Sequence, residues 1–356
     1  MGSVKTQFIF IADLPPPLQG NSIVSAWVAE YLRDNFEFVL EINTSTELGV
    51  SYFLRRLSRF VAAGIKVINS NCGSTVYLAL SHGKTLYAQA MIVALCKWKK
   101  QRVIVHHHSF LPINKPNLLH NTICHRYLSR EAEHVFLSKY MRDKYQHVWK
   151  PVGKCWVVTN HRVASIRTSS QEPKEQVKLG KNICFAGKMS AEKGFWECEY
   201  LTRVLLKQKV EMSAIFLGPS AEPKILQTIK KLARDFPNRF EYVEQYDELT
   251  LSRTLTETTF FLFPSQYMNE ASPLVVLEAQ ALGNICITSD AGSLTTDVLP
   301  PGRAIAINEW RKSAFEIIER FSADLPQAKF VSEKIRTQSA EIALESDFQI
   351  RELFYL

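Results

Sequence analysis

Apolar positions along the chain change their spacing repeatedly. Short apolar runs predict buried strands, and between them lie stretches whose apolar residues recur every three or four positions, which predicts helices with one buried face. The first strand is followed by a proline-stiffened loop at residues 13–20 and by a helix with a cap at Asn21 or Ser22. In the first half the predicted strands are residues 7–12, 36–42, 66–69, 74–80 and 102–106, and the clearest later helix is residues 87–98.

The second half restarts the same alternation. Two short strands near its middle flank a helix that begins close to Pro273. Strands that alternate with helices in this way predict an α/β protein whose parallel sheets are covered by helices on both faces. The predicted strands of this half are residues 182–186, 212–217, 240–243, 259–263 and 285–288, with helices at 196–208 and 223–236.

Composition is that of a globular protein with two domains. The chain has 356 residues, of which 46% are hydrophobic and 22% are charged, enough for a sizeable core and too long for one domain. No stretch approaches the roughly 18 apolar residues of a membrane span. Residues 1–13 lack the features of a secretory signal, so we expect a cytoplasmic protein. The seven cysteines are scattered and form no C-x2-C pair, which predicts neither disulfides nor a zinc site.

Charge is shared unevenly between the halves. Residues 1–180 carry 23 basic and 11 acidic side chains, whereas residues 181–356 carry 20 and 24. The polar stretch near residue 170 has no periodicity and predicts a linker. We therefore predict four segments: an N-terminal domain at 1–165, a linker at 166–181, a C-terminal domain at 182–335 and a final helix at 336–356 that returns toward the N-terminal domain.

The most informative segment is FPSQYMNEASPLVVLEAQALG, residues 263–283. An apolar strand runs into a polar loop and then into a helix, and Pro273 suits the first helical turn because its missing N–H would be unpaired there. The amides of residues 274–276 and the helix dipole favour an anion such as a diphosphate. Glu270 lies just before this position and Glu278 lies eight residues later. Two glutamates at this spacing mean little alone, but the strand, loop and helix around them favour a site that grips sugar hydroxyls.

A second segment, ICFAGKMSAEKG at residues 183–194, places Gly187 and Lys188 after a buried strand and Lys193 before the next helix. Open α/β sheets bind ligands outside the carboxyl ends of their strands. Two lysines at that position would neutralise a diphosphate. An ordinary turn with solvated lysines is the alternative, and these residues alone favour it.

Together these motifs resemble the retaining glycosyltransferases of family 4, which have the GT-B fold of two Rossmann-like domains facing each other across a cleft. The resemblance is strongest over residues 183–299. Weaker similarity extends through DLPPPLQGNS, which resembles a donor-facing loop but has a single Gly20 where the family usually has two glycines. VIVHHHSF resembles a strand that delivers a histidine, and VVTN resembles the end of the first domain.

The resemblance implies a role for each matching residue. Lys188 and Lys193 would hold the donor diphosphate, Glu270 would bind hydroxyls of the reacting sugar, and Glu278 would bind the ribose. A lysine stands at position 188 where the family more often has arginine, so a point charge replaces a planar fork. The implied catalytic residues are Glu270 and His108, and the implied donor-binding residues are Gly20, Gly187, Lys188, Lys193, Ala271, Ser272, Leu274, Val275 and Glu278.

The implied activity is a metal-independent transfer of a hexose-type sugar from a nucleoside diphosphate to an acceptor hydroxyl, in surface polysaccharide or glycolipid synthesis. No cofactor is expected, and the acceptor would be a saccharide or a lipid-linked intermediate. Alternatives are an epimerase or phosphorylase of the same fold and a catalytically silent nucleotide-sugar-binding subunit. A nucleic-acid-binding protein is disfavoured because no recognisable module or stacking strip is present.

The chain has three consecutive histidines, His106, His107 and His108. A metal site formed by all three is disfavoured. Consecutive strand residues point to alternating faces and cannot converge on one ion. Any of them can be a buried, hydrogen-bonded histidine, and the family resemblance favours His108 as the one that reaches the cleft.

A basic amphipathic helix is predicted at residues 51–63. Arg55, Arg56 and Arg59 lie beside apolar residues at helical spacing, and these are Phe53, Leu54, Leu57, Phe60 and Val61. A second basic cluster, Lys97, Lys99, Lys100 and Arg102, surrounds Trp98. Such features favour an anionic membrane surface, although a helix packed on a sheet with its arginines in water is an equal alternative.

Overall fold

The computed structural model describes residues 7–45, 52–150, 152–169, 182–209 and 211–355. The chain forms two compact units. The first contains the chain up to Val158 together with the C-terminal segment from Gln349, and the second runs from Thr159 to Phe348. Most of the predicted linker, residues 170–181, lies outside the described residues.

The described residues of the first unit form a six-stranded parallel sheet. Its strands are β1 (Gln7–Ala12), β2 (Phe38–Asn43), β3 (Thr75–Ala79), β4 (Arg102–His106), β5 (Glu133–Phe136) and β6 (Cys155–Val157). They pair in the order β2-β1-β3-β4-β5-β6, with every pairing parallel. The helices are α1 (Gly20–Asn35), α2 (Tyr52–Asn69), α3 (Thr85–Trp98), α4 (Leu111–Asn114), α5 (Leu119–Glu131) and α6 (Lys139–Val148).

Both faces of this sheet are covered, as the continuous apolar strands predict. Along β1, Ile9 and Ile11 enter one core with residues of α2, α3 and α5. Phe8 and Phe10 enter the other core with residues of α1 and with Phe354 near the C-terminus. The residues of β1 alternate between the two cores because successive side chains of a strand point to opposite faces of the sheet.

The predicted strand at residues 66–69 is wrong. These residues are the last turn of α2, which continues without interruption to Asn69. Val67 is buried with Phe60 and Ala63, and positions separated by three and four residues share one face of a helix. The apolar run that suggested a strand is therefore the end of a helix with apolar residues on two faces.

The arginines of α2 do not form a solvated strip. Arg56 is 7% exposed, and its Nη2 donates to Asp13 Oδ2 at 2.8 Å and to Ser81 Oγ at 2.7 Å. Arg59 donates to backbone carbonyl oxygens of Asn43 and Ser45. Two of the three arginines expected at a membrane thus stabilise the unit itself. Phe53 lies outside the residues whose side chains are described.

The basic cluster around Trp98 is also partly engaged. Lys99 donates to the backbone carbonyls of Ile68 and Ser70. Arg102 Nε lies 2.7 Å from Glu133 Oε1. Trp98 itself is 75% exposed.

The described residues of the second unit form another six-stranded parallel sheet. Its strands are β7 (Asn182–Ala186), β8 (Ser213–Leu217), β9 (Phe240–Val243), β10 (Phe260–Phe263), β11 (Ile285–Ser289) and β12 (Arg303–Ile305). They pair in the order β12-β11-β10-β7-β8-β9, all parallel. The helices are α7 (His161–Thr168), α8 (Phe195–Gln208), α9 (Pro223–Asp235), α10 (Glu248–Thr256), α11 (Leu274–Ala281), α12 (Leu294–Asp297), α13 (Ile307–Ala323) and α14 (Leu325–Tyr355), of which the residues from Gln349 belong to the first unit.

The division between the units lies a few residues before the predicted boundary at 165. Helix α7 belongs to the second unit, where it packs against α11. Asn160, just before α7, donates from Nδ2 to the carbonyl of Ser272 at 3.2 Å. The polar stretch near residue 170 indicates a linker in the sequence. The packing of α7 against α11 joins distant segments, and no local sequence pattern indicates it. Among the described residues, no helix combines the length and apolarity needed to cross a bilayer.

Candidate active site

The strand order of the second sheet locates a ligand site. Strands β7 and β10 are neighbours at its centre, and the chain proceeds outward from them in opposite directions. In open α/β sheets, ligands bind beyond the carboxyl ends of the strands at such a switch point. The segments that leave these two ends are the two motifs that the sequence singled out, one beginning at Gly187 and the other at Pro264.

The loop after β7 depends on two glycines with positive φ. Gly187 has a φ of 128° and Gly194, which precedes α8, has a φ of 81°. A Cβ on Gly194 would lie 2.1 Å from the carbonyl oxygen of Pro264, so only glycine allows the β7 loop to contact the β10 loop this closely. This contact places Lys193, the residue before Gly194, beside the second motif. Lys188 is exposed.

Lys193 and Glu270 meet at this position. Lys193 Nζ lies 2.5 Å from Glu270 Oε2, and Ser265 Oγ donates to the same oxygen at 3.2 Å. The ammonium group also lies 5.1 Å from the ring centroid of Tyr267. Glu270 is 9% exposed and the Lys193 side chain is 26% exposed, so the carboxylate is largely dehydrated while the cation is partly accessible. The two residues are 77 positions apart in the sequence.

A tight turn after β11 fixes the backbone of Glu270. Gly292 has a φ of 57°, and a Cβ there would lie 1.9 Å from the Glu270 carbonyl oxygen. The N–H of Ser293 donates to that oxygen at 3.2 Å, and Ser293 Oγ donates to the carbonyl of Ala271. Gly292 and Ser293 therefore act on Glu270 through the backbone of its loop.

The Asp297 side chain stabilises the same turn through a hydrogen bond with Ser293. Ser293 Oγ lies 2.7 Å from Asp297 Oδ2, and the aspartate is 6% exposed. Burial raises the pKa of Asp297 to about 7, against hydrogen bonds from Ser293, Ser272 and Thr296 that lower it, while the Glu270 charge raises it further. Sequence inspection did not identify Asp297, because an aspartate at the end of a short polar helix has no feature that marks burial.

Helix α11 begins one residue later than expected. Pro273 is its N-cap, with extended backbone, and Leu274 is the first helical residue. The N–H of Val276 donates to the Pro273 carbonyl at 3.1 Å, so it is not available to an anion as expected. The amides of Leu274 and Val275 belong to the first turn, where no intrahelical acceptor exists. An anion-binding role for these two, and for Ala271 and Ser272, stays a prediction.

Glu278 is paired with an arginine from α7. Arg167 Nε lies 2.5 Å from Glu278 Oε1, and Arg167 Nη1 lies 2.9 Å from Glu248 Oε2. Glu278 is 3% exposed. Burial raises the pKa of Glu278, the Arg167 guanidinium opposes this rise, and Glu248 adds to it. Arg167 was not identified from the sequence, because it stands in the stretch predicted to be a linker.

His108 and Gly20 belong to the first unit. Gly20 begins α1 after the N-cap Gln19. The ring of His108 lies 4.1 Å from that of His106, and His108 Nε2 is buried without a hydrogen-bond partner among the described residues. Burial lowers the pKa of His108 to about 4. At neutral pH the ring is therefore uncharged, and its Nε2 can donate or accept a hydrogen bond, depending on the tautomer.

The other two histidines of the run have partners within the core. His106 Nδ1 bonds the hydroxyl of Tyr77, and His107 Nε2 lies 2.8 Å from His134 Nδ1. They are the buried, hydrogen-bonded histidines that the sequence allowed. In the part of the chain that the structure describes, no three histidine, cysteine or acidic side chains are grouped so as to hold a metal ion.

Comparisons with known proteins concern the second unit and the fold of the whole chain. Residues 180–320 match the family model described as glycosyl transferases group 1. No curated protein sequence matches the chain.

Among solved structures, similarity extends over nearly the whole chain at low identity. HepE from Anabaena, in complex with UDP and glucose, has a TM-score of 0.70 and 12% identity, covering 98% of this chain and 99% of that one. Sucrose-phosphate synthase from Thermosynechococcus elongatus gives 0.68 and 15%, with the same coverage. A trehalose-6-phosphate structure from E. coli, bound with UDP-2-fluoro glucose, gives 0.70 and 9%, covering 99% of each chain.

The two Rossmann-like parallel sheets, shared along the full length with these structures, are the GT-B architecture. The match over residues 180–320 identifies the greater part of the second unit as a group 1 glycosyltransferase domain, and the chain is accordingly a glycosyltransferase.

Proposed function

We propose that this enzyme transfers a hexose-type sugar from a nucleoside diphosphate to an acceptor hydroxyl, with retention of configuration and without a metal ion. The observation that carries the proposal is the meeting of Lys193 and Glu270 at the switch point of the second sheet. The proposed acceptor is a saccharide or a lipid-linked intermediate of surface polysaccharide or glycolipid synthesis, at the cytoplasmic face of a membrane.

The donor class is supported by the ligands of the similar structures. HepE is described with UDP-glucose, and the E. coli structure is bound with UDP-2-fluoro glucose. A related trehalose-6-phosphate synthase structure concerns glycosyl transfer with retention. These descriptions favour a uridine nucleotide and a glucose-like sugar for this chain as the first donors to test.

In the proposed reaction the bond between C1 of the sugar and the diphosphate oxygen breaks, and the acceptor oxygen forms a new bond to C1. The proton of the acceptor hydroxyl passes to the departing diphosphate. Negative charge grows on that diphosphate, and the ammonium groups of Lys193 and Lys188 stabilise it together with the amides of Leu274 and Val275. Preorganised donors aimed at developing charge are commonly the largest catalytic contribution. Two cations at this position supply the charge that a divalent metal supplies in other transferases.

Glu270 has a second role in this proposal. When the diphosphate draws Lys193 toward it, the Glu270 carboxylate becomes available to accept hydrogen bonds from hydroxyls of the sugar. Ser265 and the Gly292 turn keep the carboxylate in place during that exchange. Glu278, a buried residue of α11, accepts hydrogen bonds from the ribose in competition with Arg167.

The test is release of nucleoside diphosphate from a panel of sugar nucleotides, with acceptor sugars and polyprenyl phosphosugars added in turn. The proposal predicts acceptor-dependent release, unchanged by chelator, and a product whose anomeric configuration by NMR equals that of the donor. A strict metal requirement or an inverted product would contradict it. Sugar-nucleotide interconversion without release would identify an epimerase, phosphate-dependent sugar release would identify a phosphorylase, and binding without turnover would identify a silent subunit.

A further inference from the structure

Helix α2 has an apolar stripe on its outer side. Leu54, Leu57, Val61, Ile65 and Ile68 are spaced by three or four residues and are 40–69% exposed. Residues at this spacing lie on one face of a helix. The opposite face is already buried through Phe60, Ala63 and Val67. A surface helix normally has one apolar face, directed toward the core, so the second face of α2 is unexplained by the fold of this unit.

The two neighbouring helices extend this apolar surface. Met91 and Trp98 of α3 are 68% and 75% exposed and lie two turns apart on one face. Leu119 and Ile123 of α5 are 70% and 53% exposed. Leu57, Met91 and Leu119 line a common groove, which shows that the three helices present these residues on the same side. We call this surface the outer face of α2, α3 and α5.

Charge on these helices has one sign almost throughout. Helices α2, α3 and α5 contain one acidic residue, Glu131, whose Oε2 lies 3.8 Å from Lys97 Nζ. Although Arg56 and Arg59 are turned toward the unit, all three helices carry exposed basic residues, among them Lys66, Lys97, Arg126 and Arg130. The outer face is therefore apolar and ringed by cations.

We propose that the outer face of α2, α3 and α5 docks onto an anionic lipid membrane. Aliphatic side chains of the α2 stripe enter the acyl boundary, and Trp98 lies at headgroup depth, where tryptophan is enriched. Each basic residue close to an anionic leaflet adds about fivefold to the affinity. The proposal deepens the proposed use of a lipid-linked acceptor, but its test requires no turnover.

A comparison with helix α14 supports binding to lipid and not nonspecific hydrophobic association. Helix α14 also exposes large apolar residues, with Phe330, Leu344 and Phe348 at 60–69%. They do not form a continuous stripe, and charges of both signs accompany them along the helix: acidic Glu333, Glu341, Glu345, Asp347 and Glu352, and basic Lys329, Lys334, Arg336 and Arg351. Scattered apolar residues among charges of both signs are ordinary for a protein surface, whereas a continuous cation-ringed patch marks an interaction site.

The experiment is co-sedimentation with vesicles of phosphatidylcholine alone or mixed with phosphatidylglycerol. The test variant combines Leu54→Ser, Val61→Ser and Ile65→Ser. The matched control combines Phe330→Ser, Leu344→Ser and Phe348→Ser, which removes side chains of similar exposure from α14. All six positions are exposed, so both variants should keep the unfolding midpoint of the wild type, and this is measured first.

We expect wild type and the α14 control to bind the mixed vesicles, with affinity that falls as salt is raised and with little binding to phosphatidylcholine alone. The α2 variant should bind about 100-fold more weakly, because three aliphatic side chains no longer leave water. Equal binding by all three proteins, or no binding to anionic vesicles, would overturn the proposal. A wild-type dimer in the absence of lipid that becomes a monomer in the α2 variant would also overturn it, since a second copy would then cover the face. Nucleoside diphosphate binding by each variant shows separately whether the donor site is intact.

Discussion

The two units have the same architecture but differ in what lies at the switch point of the sheet. In the second unit β7 and β10 end in glycine-containing loops that bring Lys193 to Glu270. In the first unit the order reverses at β1 and β3, and Asp13 and Ser81, which lie one and two residues beyond the ends of these strands, are both bound by the buried Arg56. One switch point has a partly accessible ion pair, whereas the other is closed by an internal network.

The surfaces differ as much as the strand ends. The first unit carries the apolar, cationic outer face of α2, α3 and α5, while the exposed apolar residues of α14 within the second unit lie among charges of both signs. Two similar sheets thus carry different chemistry, because function depends on residues placed on a fold and not on the fold itself. In our proposals, donor chemistry resides in the second unit and membrane docking in the first.

Removal of the Lys193 charge should produce the largest effect and tests whether donor chemistry resides in the second unit. We expect Lys193→Ala to lower kcat/KM for transfer by about 10²–10³-fold, the range for loss of one preorganised donor to the developing charge. Steady-state kinetics with the identified donor measures it. A loss of less than threefold would show that the ion pair with Glu270 is only structural.

Displacement of the Glu270 loop should have the next largest effect. In Gly292→Ala the new Cβ would lie 1.9 Å from the Glu270 carbonyl oxygen, so that loop must shift. A misplacement on the order of 1 Å costs about 10²-fold in rate. The control is Gly73→Ala in the first unit, where no atom lies within 4 Å of the added Cβ. Equal activities of the two variants would show that the position of Glu270 is unimportant.

A smaller effect, about tenfold in donor KM, is expected from Arg167→Gln. Burial already raises the pKa of Glu278, and loss of the guanidinium removes the cation that opposes this rise. The carboxyl therefore takes up its proton at a higher pH in the variant, and a protonated carboxyl accepts ribose hydrogen bonds poorly. Donor KM measured between about pH 5 and 8 should rise on acidification earlier than in wild type. The control is Arg162→Gln, which removes a cation from the same helix. Arg162 Nε lies 3.4 Å from Asp347 Oδ1, so this variant should leave the pH dependence of donor KM unchanged.

The smallest effect concerns stability and Asp297. Its pKa is about 7 in the folded protein and about 3.9 in an unfolded chain, so the folded state binds this proton more tightly. Its stabilising contribution is complete below about pH 3.9 and is lost as the pH rises to about 7. Asp297→Asn should flatten this dependence of the unfolding midpoint, whereas the exposed Asp290→Asn should not. Identical curves for Asp297→Asn and wild type would contradict the assignment.

Much of the fold could be predicted because its determinants are local. Apolar runs and turn residues located β7, β9 and β10 almost to the residue, and the restart of the pattern after residue 181 predicted two sheets. The strand expected at residues 66–69 failed because α2 is apolar on two faces, so its last turn has no helical periodicity in hydrophobicity.

The site could be predicted only in part. Lys193 and Glu270 were expected at one position because motif residues follow strands, and strands end at one edge of a parallel sheet. The structure brings the two side chains together, and their roles stay predictions. Arg167, Asp297 and the role of Arg56 were missed because each depends on a contact between distant segments. Arg56, for example, contacts Asp13 from 43 positions away. Spacing within a helix indicates which face a residue occupies, but it does not indicate what lies opposite that face.

The most direct test of the account is calorimetric titration of uridine, guanosine, adenosine and thymidine diphosphates into three proteins: wild type, Lys193→Ala and the Leu54, Val61 and Ile65 serine variant. The account predicts that wild type binds at least one of these nucleotides, that Lys193→Ala binds it at least about tenfold more weakly, and that the serine variant binds it as wild type does. Absence of binding to every nucleotide, or equal binding by wild type and Lys193→Ala, would contradict the assignment of donor chemistry to the second unit.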